Sequence, residues 1–169
     1  MRQARKKEWG KFVRFKAVKV LSKDKAQELI AQGVECIPMQ WIDTDKNDHM
    51  RKPGGPYVAP LHKARLVARG DLEKGVTRND SPTADQEGLF IICSFASSHR
   101  LVIRSGDVEN AYFQGEKPTT PLLLSQPRGG IPDDEVSWED FLLALVPIYG
   151  TKAAGRSFWK KLRSCTRQV

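Results

Sequence analysis

Asp107 is the residue whose setting most suggests chemistry. The apolar run Leu101-Val102-Ile103 leads to it through Arg104-Ser105-Gly106, and Val108-Glu109-Asn110-Ala111-Tyr112-Phe113 follows. A carboxylate at the end of a buried strand stands clear of the sheet, where a divalent metal can reach it. Carboxylates that bridge two metals are how phosphoryl-transfer sites activate a hydroxyl and steady a leaving phosphate. An Asp between a strand and a helical turn is also an ordinary N-cap, so the residue type alone leaves both roles open. Lys63 and Arg65 project from one face of an extended run, either to hold an anion or simply to blunt an edge strand. Lys152 and Arg156 lie four apart in a basic closing helix and so point the same way. His49, His62 and His99 show no metal-ligand spacing and read as incidental. Cys36, Cys93 and Cys165 are scattered and odd in number, which argues against a disulfide scaffold and fits a reducing, intracellular (cytoplasmic or nuclear) setting.

The charge is unevenly placed. Of the formal +8, residues 1–25 carry +8, residues 152–169 carry +6, and the stretch between carries −6. Two basic ends around an acidic body suit a polyphosphate partner, because each neutralised phosphate releases counterions. From composition alone, a solvated tail and a solvated helix face are the favoured reading. Hydrophobic residues make up 40% of the 169, too many for a disordered tail. The longest apolar run, at 141–149, falls well short of the roughly 20 residues that span a bilayer, so no membrane partner is expected. The basic N-terminus has no apolar core behind it to make a signal peptide.

Several elements must position these residues. Residues 1–20 mix bases with Trp9, Phe12 and Phe15 as an irregular or helical lead-in. A short helix follows from about 23 to 32, capped by Ser22 and stopped by Gly33. Residues 35–43 read as a strand, 44–56 as turn chemistry, and 57–68 as a second strand in which His62, Ala64, Leu66 and Ala68 alternate with charged or apolar partners. After a polar loop at 70–82, Thr83 and Gln86 form a capping box. The helix they open sets Leu89, Phe90, Ile92, Cys93 and Ala96 toward a core. Strands are expected at 101–103 and 122–124, and a strand or short helix at 142–146. A helical turn at 108–113 ends at Gly115. The closing helix, 150–167, turns Phe158, Trp159 and Leu162 inward. Alternating strands and helices make the class α/β or α+β.

Five segments, in order, carry a family resemblance. The run at 63–70, Lys-Ala-Arg-Leu-Val-Ala-Arg-Gly, resembles the fingers strand of copia-type retrotransposon reverse transcriptases. Ser81-Pro82-Thr83-Ala84 resembles the turn into that family's long palm helix, and residues 104–116 resemble its first palm motif, which carries a catalytic aspartate. Ser125-Gln126-Pro127-Arg128-Gly129 is similar to its Gln-Pro-Pro-Gly turn. Residues 148–159 are similar to its Tyr-Gly-Leu-Lys-Gln-Ala-Pro-Arg-Ala-Trp stretch. Order and spacing match over residues 41–162.

The resemblance implies an α+β fold, with fingers at 35–82 and part of a palm at 83–169, preceded by a basic lead-in with a short helix at 1–34. It implies an RNA-directed DNA polymerase working with Mg²⁺ or Mn²⁺ on an RNA or DNA primer–template and deoxynucleoside triphosphates. Asp107, with the Val108 carbonyl, would bind the metals. Tyr112 would lie under the sugar and reject a 2′-hydroxyl. Lys63 and Arg65 would hold the triphosphate, and Lys152 and Arg156 would line the nucleotide or template path. Gln126 reads as a turn residue.

The pattern also departs from the family. Ala153 and Gly155 replace its Gln and Pro, and Gly106 replaces a bulkier residue before the aspartate. The catalytic Asp-Asp hairpin has no counterpart: Asp133-Asp134 comes too early and reads as a loop. One carboxylate cannot hold two metals, so the chain is expected to be a fragment, inactive alone, with an unpaired sheet edge that makes its folding marginal. The competing class is a non-catalytic nucleic-acid-binding module that uses the basic ends, with Trp9, Phe12, Phe15 and Trp159 to stack on bases.

Overall fold

Residues 1–75 and 79–167 are described by the structure, a computed structural model. Residues 76–78 of the loop expected at 70–82, and residues 168–169, lie outside the described residues.

The lead-in is a full helix, α1 (Arg2–Arg14), because Trp9 and Phe12 fall three apart on one face and bury there. Lys11 and Arg14 occupy its last turn, where cations complement the helix dipole. Its end is a Schellman turn: Lys16 takes a left-handed φ of 48°, its N–H meets the Val13 carbonyl, and the Ala17 N–H meets that of Phe12. That conformation strains any residue with a Cβ. Lys16→Gly is expected to stabilise the chain by up to about 1 kcal/mol, read as a raised urea midpoint at unchanged slope.

The chain then forms β1 (Val18–Leu21), α2 (Lys23–Ala31), β2 (Glu35–Asp45) and β3 (His62–Ala68). After these come α3 (Gln86–Ser98), β4 (Leu122–Ser125), β5 (Phe141–Ala144) and α4 (Ala154–Thr166). The strands make one sheet in the order β1-β5-β4-β2-β3, with β2 and β4 parallel and every other pair antiparallel. β2 is long enough to serve two neighbours: residues 35–38 pair with β4 and residues 39–45 with β3. The main core gathers Trp9, Phe12, Ile37, Met39, Leu66, Phe113, Leu124, Leu142 and Ile148.

The lead-in segment 1–34 packs against the strands that follow it. α1 lies across β3, and β1 pairs with β5 in register Val18↔Ala144 to Leu21↔Phe141.

Four expectations differ. Residues 101–103 form no strand, and Leu101, Val102 and Ile103 are exposed. Among the described residues no strand pairs with them, and an apolar run without a ladder partner has nothing to hold it extended. The capping box gives way to Asp85, whose Oδ1 accepts from the Gly88 N–H at 2.6 Å, two residues after the expected cap. The core-facing stripe of that helix is not core either. In α3 only Ala96 is buried, while Leu89, Phe90, Ile91, Ile92 and Phe95 are exposed. Four consecutive apolar residues wrap right round a helix, so one contact face could not bury them all. Leu162 of α4, expected inward, is 44% exposed.

Candidate functional site

The site is organised by Tyr149. Ile148 to Thr151 makes a tight turn, with the Thr151 N–H on the Ile148 carbonyl at 3.1 Å and Gly150 at φ 92°. A turn with a positive φ at its third position needs glycine there. The turn docks on the end of β3, where the Ala68 N–H donates to the Tyr149 carbonyl at 2.7 Å. The approach is so close that a Cβ on Gly150 would sit 2.1 Å from the Ala68 oxygen. One on Gly70 would sit 2.0 Å from the Gly150 oxygen. The 63–70 and 148–152 segments thus meet glycine to glycine.

The third segment joins them through aromatic packing. A single 3-10 turn, Ala111–Gln114, follows Asn110, which adopts a left-handed φ of 48°. Phe113 is buried, 4.8 Å from the Phe12 ring and 5.2 Å from that of Tyr149. The Tyr112 ring lies 4.9 Å from Tyr149. The Gln114 Nε2 ties back to the Glu109 carbonyl at 2.7 Å, and the Glu109 carboxylate takes an ion pair from Arg14 of α1 at 2.6 Å. Gly115 is as tightly set, since a Cβ there would meet the Phe158 nitrogen of α4 at 2.9 Å.

Asp107 is exposed, and Asn110 rather than Asp107 occupies the position before the turn, so the N-cap role falls away. Burial raises the Tyr149 phenol above its usual pKa, with Glu8, Tyr112 and Asp107 adding to the effect and Arg65 opposing it. The Tyr112 ring thus packs on that of Tyr149, whose turn is bonded to the end of the strand that carries Arg65. Lys63 adjoins Arg65, whose charge is the main reason its ammonium titrates below the ordinary lysine range.

Lys152 precedes α4, so the helical spacing expected of Lys152 and Arg156 does not hold, and each engages a different part of the segment after β3. The Lys152 N–H donates to Glu73 Oε2 at 2.9 Å, and its ammonium to the Glu73 carbonyl. Arg156 pairs with Asp80 at 2.9 Å and lies over Trp159. Gln126 holds a loop, donating to the carbonyls of Ser137 and Asp140, as a turn residue should. Asp133-Asp134 lies in a loop, where Asp133 accepts from the Trp9 indole at 2.6 Å. Trp9 and Phe12 are core residues, which removes them as platforms for bases.

Two contributors were not singled out from sequence. Tyr149 acts through the Gly150 turn, whose Tyr-Gly pair was its only signal. Glu8 is a buried carboxylate, 5% exposed and paired with Lys11 at 2.6 Å, and it lies among bases that hid it.

Among the described residues, no group of three or more His, Cys, Asp or Glu side chains could hold a metal ion. Asp107 and the Val108 carbonyl do not by themselves fit a two-metal centre, and no reaction step through metal follows from them. Nor, among the described residues, is any helix long and apolar enough to cross a membrane.

The sequence relationship is to retrovirus-related Pol polyproteins of transposons. Those from transposons RE2 and RE1 of Arabidopsis thaliana are each 29% identical to the chain, over 136 and 134 residues. The matches take in 78% of this chain but only 9% and 8% of the two polyproteins, so the chain spans less than a tenth of the length of these curated relatives. No family model matches it, and no solved structure does.

Proposed function

We propose that this chain is the fingers and part of the palm of a copia-type RNA-directed DNA polymerase. It contributes one metal-binding carboxylate to template-directed nucleotidyl transfer and leaves the rest of the metal centre to other residues. The observation that carries this reading is the convergence on Tyr149. Three segments far apart in sequence, each resembling a motif of that family, pack together there: the ring of Tyr112, five residues after Asp107, lies 4.9 Å from that of Tyr149, and the Tyr149 turn is bonded to the end of the strand that carries Arg65. The similarity to Pol polyproteins of transposons supports the same reading.

In this reading Asp107 and the Val108 carbonyl face Mg²⁺ or Mn²⁺, and Tyr112 packs beneath the sugar of the incoming nucleotide. Lys63 and Arg65 take its triphosphate. Lys152 and Arg156 line the nucleotide or template path once they exchange Glu73 and Asp80 for phosphate. The partners are a primer–template and deoxynucleoside triphosphates.

The test is a Mn²⁺ titration followed by NMR line broadening. Mn²⁺ is expected to broaden the resonances of residues 107–112 and Tyr149, with an affinity no tighter than about millimolar because the donor set is small. Asp107→Asn should abolish that local broadening. Broadening that persists in the variant, or that centres elsewhere, would sink the proposal.

A further inference from the structure

We infer that α3 and the run 101–103 are the contact face of a two-fold dimer, in which the α3 helices of two copies of this chain lie antiparallel. The proposed function assigns no ligand to this helix, and the dimer needs neither metal nor nucleotide.

Exposed apolar residues cluster here as nowhere else among the described residues. Leu89, Phe90, Ile91, Ile92 and Phe95 of α3, with all three residues of 101–103, are each at least 55% exposed. The two pieces adjoin. Arg100 takes a left-handed φ of 53°, and the Leu101 N–H donates to the Ala96 carbonyl at 2.8 Å, which holds the run at the helix end. A large apolar side chain so exposed presents on the order of 100 Å², and the eight together offer about 800 Å². A typical monomer leaves no more than about 300–600 Å² of contiguous apolar surface open, whereas about 800 Å² is what each partner brings to a stable interface.

Shape and charge say what covers this face. Apolar residues run round α3, so a flat partner would leave some of them wet. A second copy offers two surfaces, its own α3 on one side and its 101–103 run on another, and two-fold symmetry satisfies both chains at once. α3 carries no Lys or Arg, so two chains of net +8 meet there without setting base against base. The ends select the direction. Asp85 and Glu87 stand at the start of the helix, and Arg100 and Arg104 stand beyond its end, all four exposed. Among the described residues, Glu87, Arg100 and Arg104 have no ion pair. Antiparallel pairing sets each acidic start against the partner's basic end and opposes the helix dipoles. A parallel pair would set like charges together at both ends.

The test is sedimentation velocity of the full chain over a concentration series, in EDTA. A species of twice the mass of one chain is expected, with Kd micromolar or tighter, as interfaces of this size give. Ile92→Glu/Phe95→Glu puts unpaired carboxylates into the contact and should weaken association about a hundredfold or more. Two further variants read the direction and stand even if that one fails to fold. Asp85→Asn/Glu87→Lys keeps a helix cap and makes both ends basic, and Arg100→Glu/Arg104→Glu makes both ends acidic. Each alone should associate about tenfold more weakly than the original chain, and an equimolar mixture of the two should recover the original affinity. Circular dichroism checks the fold of every variant. A chain still monomeric at about 100 μM would overturn the inference and leave the face to a different protein segment. So would polydisperse aggregates in place of a dimer, or charge variants that associate as tightly alone as mixed. This test and the Asp107 test share no residue, so either can fail without the other.

Discussion

Gly150→Ala is expected to cost about 3–5 kcal/mol, in the range that marks backbone disruption rather than ordinary repacking. Two terms add. The residue sits at φ 92°, a conformation closed to L side chains at modest cost, and its Cβ would lie 2.1 Å from the Ala68 oxygen. That atom is backbone in the last residue of β3, so it cannot swing away as a side chain would. Relief requires the turn to lift off β3, breaking the bond between the Ala68 N–H and the Tyr149 carbonyl. Tyr149 would leave with it, taking away the ring against which Tyr112 and Phe113 pack. Urea denaturation should show the loss, and near-ultraviolet circular dichroism should show the tyrosine environment change. Gly106→Ala is the control next to Asp107. A Cβ there meets nothing within 4 Å and φ is not positive, so stability should stay within about 0.5 kcal/mol. The bulkier residue that the family carries before its aspartate would therefore fit here.

What the sequence made legible follows from which physical signals are local. The end of α2 could be read because Gly33, the residue in the left-handed position, is a glycine. α1 and α3 end in the same hydrogen-bonded turn, but with Lys16 and Arg100 at φ 48° and 53°, and nothing in a lysine or arginine announces that. The alternation of β3 was legible because Ala64, Leu66 and Ala68 really do bury on one face. β1 was not, since Val18-Lys19-Val20-Leu21 is short and its ladder partner lies more than a hundred residues away in β5. The stripe drawn through α3 failed because it assumed a core that the described residues do not place there. In the site, motif order pointed to Asp107, Tyr112 and Arg65, while the engagement of Lys152 and Arg156 with Glu73 and Asp80 depends on a loop no local pattern encodes. The basic N-terminus misled most. Its charge suited a polyphosphate partner or a solvated tail, yet Trp9 and Phe12 within it lie in the core.

That last point gives the second large effect. Phe12→Ala should destabilise the chain by about 3–5 kcal/mol, the usual cost of emptying a fully enclosed phenyl site. Phe12 is 0% exposed, stacks on Trp9 at 5.7 Å between ring centroids, and meets Phe113 edge-on at 4.8 Å. Against a typical total of about 5–15 kcal/mol, such a loss leaves little margin. The damage should also travel along a defined route. Phe113 holds the turn that carries Tyr112, and with Phe12 gone its aromatic partners among the described residues are Phe15 and Tyr149. The contact between Tyr112 and Tyr149 should loosen before the sheet melts, so NMR signals of residues 107–114 should broaden at urea concentrations where β2 and β4 remain intact. Arg14→Ala separates packing from charge. It removes the ion pair to Glu109, but both partners are more than half exposed, and such pairs contribute no more than about 1 kcal/mol. If Arg14→Ala proved as harmful as Phe12→Ala, α1 would be held by its charges and the aromatic route would be wrong. If only Phe12→Ala disturbs residues 107–114, α1 belongs to the machinery that positions Asp107, and the basic segment is no appendage to the domain.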